Sequence, residues 1–284
     1  MAKIIDGKKI SEKILSDAHI QTQELKDKGI TPGLAIVQVG DNPASNIYIG
    51  KKIEAAKKIG LKAVHVKLGD KISFTELEQK VTELNKDNSI HGIIIQMPLP
   101  KQINTEQALS LVLPKKDVDG FHPFNQGKLF SGTGGFTPAT AKGIIKLINS
   151  TKQKIAGKNA VVIGRSTIVG RPTAALLLSL DATVTVCHSK TKNLIQFTKN
   201  ADILVVAAGK AKLVKKNMVK KGAIVIDVGI DKVRGKIFGD VDFENVKSKA
   251  GFITPVPGGV GPMTVACLIE NTIDAAKRQT NASS

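Results

Sequence analysis

Apolar residues at Ile10, Ile14, Ala18 and Leu25 recur at helical spacing and predict an amphipathic first helix. The next apolar stretch has no such period: LAIVQVG, 34–40, is continuous and of strand length. A helix from about Pro43 to Ile59 follows, and then the strand AVHVKL at 63–68. Ser73-x-x-Glu76 is a capping box, and Phe74, Leu77, Val81 and Leu84 behind it form one helical stripe. The strand GIIIQM, 92–97, then runs into PLP. Continuously apolar strands alternating with helices belong to parallel sheets covered on both faces.

A Pro- and Gly-rich connector spans 114–138, and Thr137-Pro138 opens a helix ending near Asn149. The alternation then restarts, with NAVVIG, TVTVCH, ADILVVAAG and AIVIDVG as strands between helical or turn segments. After FITPVPGGVGPMT, 252–264, a last periodic stretch from Met263 to about Lys277 reads as a terminal helix. The predicted fold class is α/β: two three-layer α/β domains, the second a Rossmann-like doubly wound parallel sheet, with a cleft between them. The predicted boundaries are 1–120, 121–262 and a C-terminal helix, 263–284, packing back on the first domain.

Charge changes the picture less than its size suggests. The 284-residue chain carries 42 Lys and Arg against 24 Asp and Glu, a formal net charge of +18. Such a balance invites a nucleic-acid reading. The lysines are dispersed, however, in pairs such as Lys51-Lys52 and Lys57-Lys58, and one tyrosine with no tryptophan is little to stack bases on. No zinc-finger or RNA-recognition spacing occurs either. The sequence therefore predicts no nucleic-acid partner, and the positive field suits small polyanionic ligands. Apolar runs such as ILVVAA, 203–208, are far too short for a membrane span, so no membrane partner is expected. The start, MAKIIDGKKI, lacks the apolar core of a signal peptide, and Cys187 and Cys267 sit in apolar surroundings unlike a disulfide framework. A cytoplasmic location is expected.

The first candidate chemistry lies in AVVIGRSTIVGRPTAA, 160–175, a strand entering a helix through Gly164 and Gly170. A glycine loop alone is a weak signal; its context, with a second strand about twenty residues on, gives it weight. NAD-selective loops place an acid at the end of that second strand, where this chain has Cys187-His188-Ser189-Lys190. With no acid there, Arg165 is expected to fork onto a ribose 2′-phosphate and Ser189 to donate to the same group, the bland alternative being that Arg165 caps or solvates a turn. Backbone N–H groups from Ser166 to Gly170 are expected to take the pyrophosphate. The coenzyme predicted is NADP.

The second candidate lies in NPASNIYIGKKIEAA. Asn42 caps a helix with Pro43 at its first position, so Ser45, Tyr48 and Lys52 share a face, while Ile49, Ile53 and Ala56 lie beside it. Alone, Tyr48 reads as packing and Lys52 as a solvated lysine. Gln96 interrupts GIIIQMPLP at the carboxyl end of its strand, where α/β sheets place ligands, and Asp119 stands in KKDVDGF. The bland alternatives are a strand-end amide and an Asx turn before Gly120. DVDG lacks the further oxygens and the closing glutamate of a calcium loop, so no metal is expected.

In order, SNIYIGKK, GIIIQMPLP, KKDVDGF, GRSTIVGRP, CHSKT and PVPGGVGPMT resemble the bifunctional methylenetetrahydrofolate dehydrogenase/methenyltetrahydrofolate cyclohydrolases, from Ile4 to the terminal helix. The resemblance implies an NADP-dependent oxidation of 5,10-methylenetetrahydrofolate and hydrolysis of the methenyl product to 10-formyltetrahydrofolate, within one-carbon metabolism and purine biosynthesis. It implies Lys52, Tyr48 and Gln96 as catalytic residues, with Asp119, Tyr48, Pro257, Gly258 and Gly259 on the folate. Gly164, Arg165, Ser166, Gly170, Ser189 and Ile230 are the coenzyme residues expected. A folate-binding first domain, an NADP-binding second domain, a homodimer and polyglutamylated folate substrates complete the implications.

The residue types suit that chemistry. Hydride loss from the methylene bridge releases no proton, so alignment matters more than a base. Hydrolysis needs a proton shuttle, and Lys52 is the candidate. Gln96 orients an amine without adding a counter-charge, and burial lowers the amine's pKa. Tyr48 packs on the pterin, and Asp119 offers two oxygens to the N–H donors of the aminopyrimidinone.

Overall fold

A computed structural model describes residues 1–233 and 236–281 of the chain. Its elements run β1 (Lys3–Ile4), α1 (Gly7–Lys26), β2 (Gly33–Val39), α2 (Pro43–Lys58), β3 (Lys62–Leu68), α3 (Phe74–Lys86) and β4 (Gly92–Ile95). There follow α4 (Thr105–Ser110), α5 (Pro123–Ser131), α6 (Ala139–Ser150), β5 (Asn159–Ile163), α7 (Gly170–Ser179), β6 (Thr183–Cys187), α8 (Leu194–Thr198) and β7 (Ile203–Val206). The last part holds β8 (Ile224–Asp227), β9 (Asp231–Val233), β10 (Lys236–Phe238), α9 (Phe243–Val246), β11 (Phe252–Ile253) and α10 (Val260–Asn281). They form two compact α/β units, one with a three-stranded and one with a six-stranded parallel sheet.

The three-stranded unit comprises Glu12–Ala139 and the chain from Val265 onward. Its sheet has the order β3-β2-β4, with Leu34 paired to Ala63 on one side and Gly92 on the other. Every residue of β2 is buried, which explains why its sequence, Gln38 apart, is apolar on both faces instead of alternating. Leu34 and Ile36 face a layer containing Ile49 and Ala56 of α2 and Leu268, Ile269 and Ile273 of α10. Ala35, Val37 and Val39 point the other way, onto Leu77, Val81 and Leu84 of α3. The capping box is formed as expected, with Ser73 Oγ accepting from Glu76 N and Glu76 Oε2 accepting from Ser73 N.

The six-stranded unit comprises Met1–Ser11 and Thr140–Thr264. Its sheet has the order β1-β11-β8-β7-β5-β6, parallel throughout. The chain leaves β5 toward β6 and returns to β7 on β5's other side. The strand order therefore reverses between β5 and β7, and α/β sheets hold ligands outside the carboxyl ends at such a point.

Three expectations are corrected. Residues 121–139 belong to the three-stranded unit, because α5 in the supposed connector anchors there: Asn125 donates to Asp117 Oδ2 and accepts from Phe136 N, and Phe136 joins the core with Leu34. Residues 1–11 belong to the other unit, since β1 pairs with β11 in register Lys3 to Phe252. The terminal helix begins at Val260, three residues before Met263, because Pro262 is tolerated in a first turn. Residues 282–284 of the predicted terminal segment lie outside the described residues.

Candidate active site

Asn42 Oδ1 accepts from the N–H groups of Ala44 and Ser45, which fixes the start of α2 and the rotation of its faces. Ile49 and Ala56 go into the core, and the neighbouring stripe carries Ser45, Tyr48 and Lys52. Lys52 is 8% exposed, against the ordinary habit of lysine. Its Nζ donates to Gln96 Oε1 at 3.0 Å, and Gln96 Nε2 donates to the Met97 carbonyl at 2.8 Å. Ser45 Oγ donates to the same carbonyl at 3.1 Å, and Gln96 N to the Val37 carbonyl at 2.8 Å. The amide is thus clamped at the carboxyl end of β4, with its oxygen turned to the amine.

Burial pushes the Lys52 amine below the usual lysine range, and the Asp119 carboxylate pulls it partly back. The counter-charge that acts on Lys52 comes from Asp119 and not from Gln96, which is neutral. Burial raises the Tyr48 hydroxyl above its ordinary value, and the Lys51 amine lies 6.0 Å from the Tyr48 ring centre. The structure brings Tyr48, Lys52, Gln96 and Asp119 into one unit.

The KKDVDGF turn is organised by Asp117, a residue the sequence reading passed over in favour of Asp119-Gly120. Asp117 accepts from Phe121 N at 3.1 Å, His122 N at 2.8 Å and Asn125 Nδ2 at 2.8 Å. Its signal was the carboxylate three residues ahead of Gly120, an Asx-type position from which either aspartate could fold the turn. Burial pushes the Asp119 carboxyl up to about 6, against the pull of Lys52 and with the Asp117 charge adding to the rise.

That rise has a stability consequence. A carboxyl whose folded pKa exceeds its unfolded value supports the fold fully below about pH 4 and loses that support as pH climbs through 6. Asp119→Asn carries no such loss. The variant should be about 3 kcal/mol more stable than the parent at pH 8 and within about 1 kcal/mol of it at pH 4. Urea titrations at both pH values check this; a stability difference that is the same at both would refute it.

In the six-stranded unit, β5 and β6 pair with Ile163 opposite Cys187, and Gly164 N donates to the Cys187 carbonyl at 2.8 Å. Arg165 and Ser189 thus stand two residues beyond paired positions on adjacent strands, and both are exposed. Gly164 has φ 127°, and a Cβ there would strike the Ala207 carbonyl oxygen; a Cβ on Gly170 would strike Gly164's own carbonyl. The loop is bare for packing as well as for any ligand. Ser166 Oγ accepts from Val169 N at 3.2 Å and Gly170 N at 3.3 Å, so two of the five N–H groups expected to cradle pyrophosphate meet this hydroxyl.

Gly258 has φ 105°, and Gly259 is pressed against Pro255 and Thr254, while Lys8 N donates to the Gly258 carbonyl. Pro257-Gly258-Gly259 is therefore tied to the start of α1 by its own backbone. Ile230 stands 47% exposed beyond β8. Cys187 and Cys267 are both buried, and neither forms a disulfide. Among the described residues, no helix is long and apolar enough to cross a membrane, and no group of three or more His, Cys, Asp or Glu could hold a metal.

Comparison with known proteins fits this geometry. The tetrahydrofolate dehydrogenase/cyclohydrolase catalytic-domain family matches residues 5–119, and the NAD(P)-binding-domain family of the same enzymes matches 138–280. The "Bifunctional protein FolD" of Listeria innocua is 54% identical over 98% of this chain and 98% of its own. The crystal structure of the bifunctional FolD methylenetetrahydrofolate dehydrogenase/cyclohydrolase from Campylobacter jejuni superposes with a TM-score of 0.97, at 48% identity over 98% of this chain and all of that one. The Trypanosoma brucei FolD, crystallised with NADP and an inhibitor, gives a TM-score of 0.94 at 38% identity over 98% of both chains. With both family models matched in order along nearly its whole length, the chain belongs to the tetrahydrofolate dehydrogenase/cyclohydrolase family.

Proposed function

We propose that the chain oxidises 5,10-methylenetetrahydrofolate with NADP and hydrolyses the methenyl product to 10-formyltetrahydrofolate, with Lys52 moving the proton in the second reaction. NADP supplies the hydride acceptor; everything else falls to side chains of this chain. The observation that carries the reading is the buried Lys52 amine held 3.0 Å from Gln96 Oε1. A lowered pKa leaves a usable fraction of that amine uncharged, able to take a proton from water as it adds to the methenyl carbon. The resulting ammonium returns that proton to the departing ring nitrogen as the carbon–nitrogen bond breaks, and the hydroxyl left on the carbon gives its own proton to solvent as it becomes the formyl carbonyl.

Tyr48 offers its ring to the pterin, and Asp119 accepts from the adjacent N–H donors of the aminopyrimidinone. Pro257, Gly258 and Gly259 contact folate through backbone. Gly164, Arg165, Ser166, Gly170, Ser189 and Ile230 hold the coenzyme, with the Ser166 hydroxyl releasing the helix-start N–H groups as phosphate arrives. In domain terms, the folate chemistry sits on the three-stranded unit and the coenzyme on the six-stranded unit. A net charge of +18 suits polyglutamylated folates. The working form is a cytoplasmic homodimer serving one-carbon metabolism and purine biosynthesis.

Gln96→Glu tests the neutral-amide argument. A carboxylate at this distance stabilises the ammonium, so the acid limb of the hydrolysis profile should move to higher pH. At fixed neutral pH the rate should fall by up to about tenfold for each unit of that move. Hydride transfer, which needs no proton, should suffer far less. Following NADPH formation and methenyl decay in one cuvette separates the two; an unshifted acid limb would remove Gln96 from this role.

A further inference from the structure

Beyond the coenzyme residues named above, the six-stranded unit buries two aspartates at the carboxyl end of its sheet. Asp227 closes β8 and is 2% exposed; Asp240 follows β10 and is fully buried. Asp240 Oδ2 accepts from Ala208 N at 2.6 Å and Gly209 N at 3.0 Å, and Oδ1 from Lys210 N at 2.7 Å. Three successive N–H groups of the loop after β7 thus converge on one carboxylate. Asp227 does the same one step back. It accepts from Gly229 N at 3.1 Å, Asp240 N at 2.9 Å and Val241 N at 2.9 Å. Thr254 Oγ1 in turn accepts from Asp227 N at 2.8 Å.

We propose that Asp240 is a positioning residue for coenzyme binding, fixing the loop 207–210 beside the glycine loop, and that Asp227 aims it. The inference rests on the reading that NADP lies over Gly164–Gly170. The β7 loop stands at the point where strand order reverses, so it borders any ligand there. It also touches the glycine loop directly. Ala207 N donates to the Ile163 carbonyl at 2.7 Å, and the Ala207 carbonyl oxygen is the atom that leaves no room for a Cβ on Gly164. Gly170, the first residue of α7, packs in turn on the Gly164 carbonyl. A displaced 207–210 loop would therefore displace the floor beneath the pyrophosphate.

The chemistry requires carboxylates. Burial raises both groups above the usual range against the pull of their backbone N–H donors, Asp227 to about 7. An amide in place of Asp240 keeps one acceptor oxygen and turns an NH2 toward a backbone donor, so at least one of the three bonds is lost. Buried carboxylates are costly, and a simple turn could be held by glycine and asparagine; holding three donors at once requires both oxygens of Asp240.

Asp240→Asn tests this with Arg165→Ala alongside. The expected result is a rise of about tenfold or more in the NADP KM of the dehydrogenase, with its kcat at saturating NADP kept within about threefold. Methenyl hydrolysis, which consumes no coenzyme, reports that the variant is folded. Wild-type NADP affinity in Asp240→Asn with weakened affinity in Arg165→Ala overturns the positioning role alone. Unchanged affinity in both overturns the coenzyme site and this inference with it. If Asp240→Asn does not fold, amide hydrogen exchange on the wild-type protein decides. Slow exchange at Ala208, Gly209 and Lys210 before NADP is added is the expected result; exchange at open-chain rates until NADP binds would overturn the proposal.

Discussion

Lys52→Met should lower methenyl hydrolysis by about 10²–10⁴-fold, the range typical for losing a positioned acid–base group. Methionine keeps a long unbranched stem in a site that is already 8% exposed, so α2 keeps its packing on Ile49 and Ala56. What disappears is the proton carrier. Gln96 Oε1 loses its donor, which costs about 1–3 kcal/mol if water does not replace it. The dehydrogenase should retain activity within about tenfold, because hydride departs without a proton and needs only alignment. The wild-type pH profile carries a matching sign. Hydrolysis should rise with pH through a pKa below that of free lysine, since burial disfavours the ammonium, and Asp119 limits how far below. Single-turnover decay of the methenyl species in Lys52→Met checks the prediction. Hydrolysis at the parental rate would take Lys52 out of the chemistry.

The parts of this site differ in how far the sequence discloses them, and the difference is physical. The face shared by Ser45, Tyr48 and Lys52 follows from helical period once Asn42-Pro43 fixes where the helix begins. The continuous apolar run of β2 announces a central parallel strand for the same kind of reason. The bond between Lys52 and Gln96 spans 44 residues and depends on how β4 registers against β2, which periodicity does not encode. Only the resemblance to a known family joined the two residues. α5 was hidden inside a Pro- and Gly-rich stretch because its start is set by Pro123 and the His122 side chain, a cap that composition disguises as loop. β1 and β11 contain two residues each and have no period at all. Asp227 and Asp240 escaped notice because their acceptor bonds come from backbone N–H groups, which every sequence supplies, and Asp117 because two of its three do.

Arg165→Ala should cut kcat/KM for NADP by about 10–100-fold and leave NAD nearly untouched, so the preference between them collapses. The size follows from charge-assisted bonds to a phosphate, worth about 1.5–3 kcal/mol each way the guanidinium fork engages. The direction follows from strand register. β5 and β6 pair from Asn159–Thr183 to Ile163–Cys187, so Arg165 and Ser189 each follow two residues beyond the last pair, at the sheet's carboxyl edge. NAD-selective sheets place a carboxylate at the second of these positions; it would repel a 2′-phosphate, and here a hydroxyl stands in its place. Arg165 is exposed and makes no contribution to the core, so its truncation leaves β5 and the Gly164 packing intact. Ser189→Asp should reinforce the loss on NADP by adding like charge, without restoring the guanidinium. Parallel initial-rate measurements with NADP and NAD give the ratio directly, and a ratio that Arg165→Ala does not change would place the 2′-phosphate elsewhere.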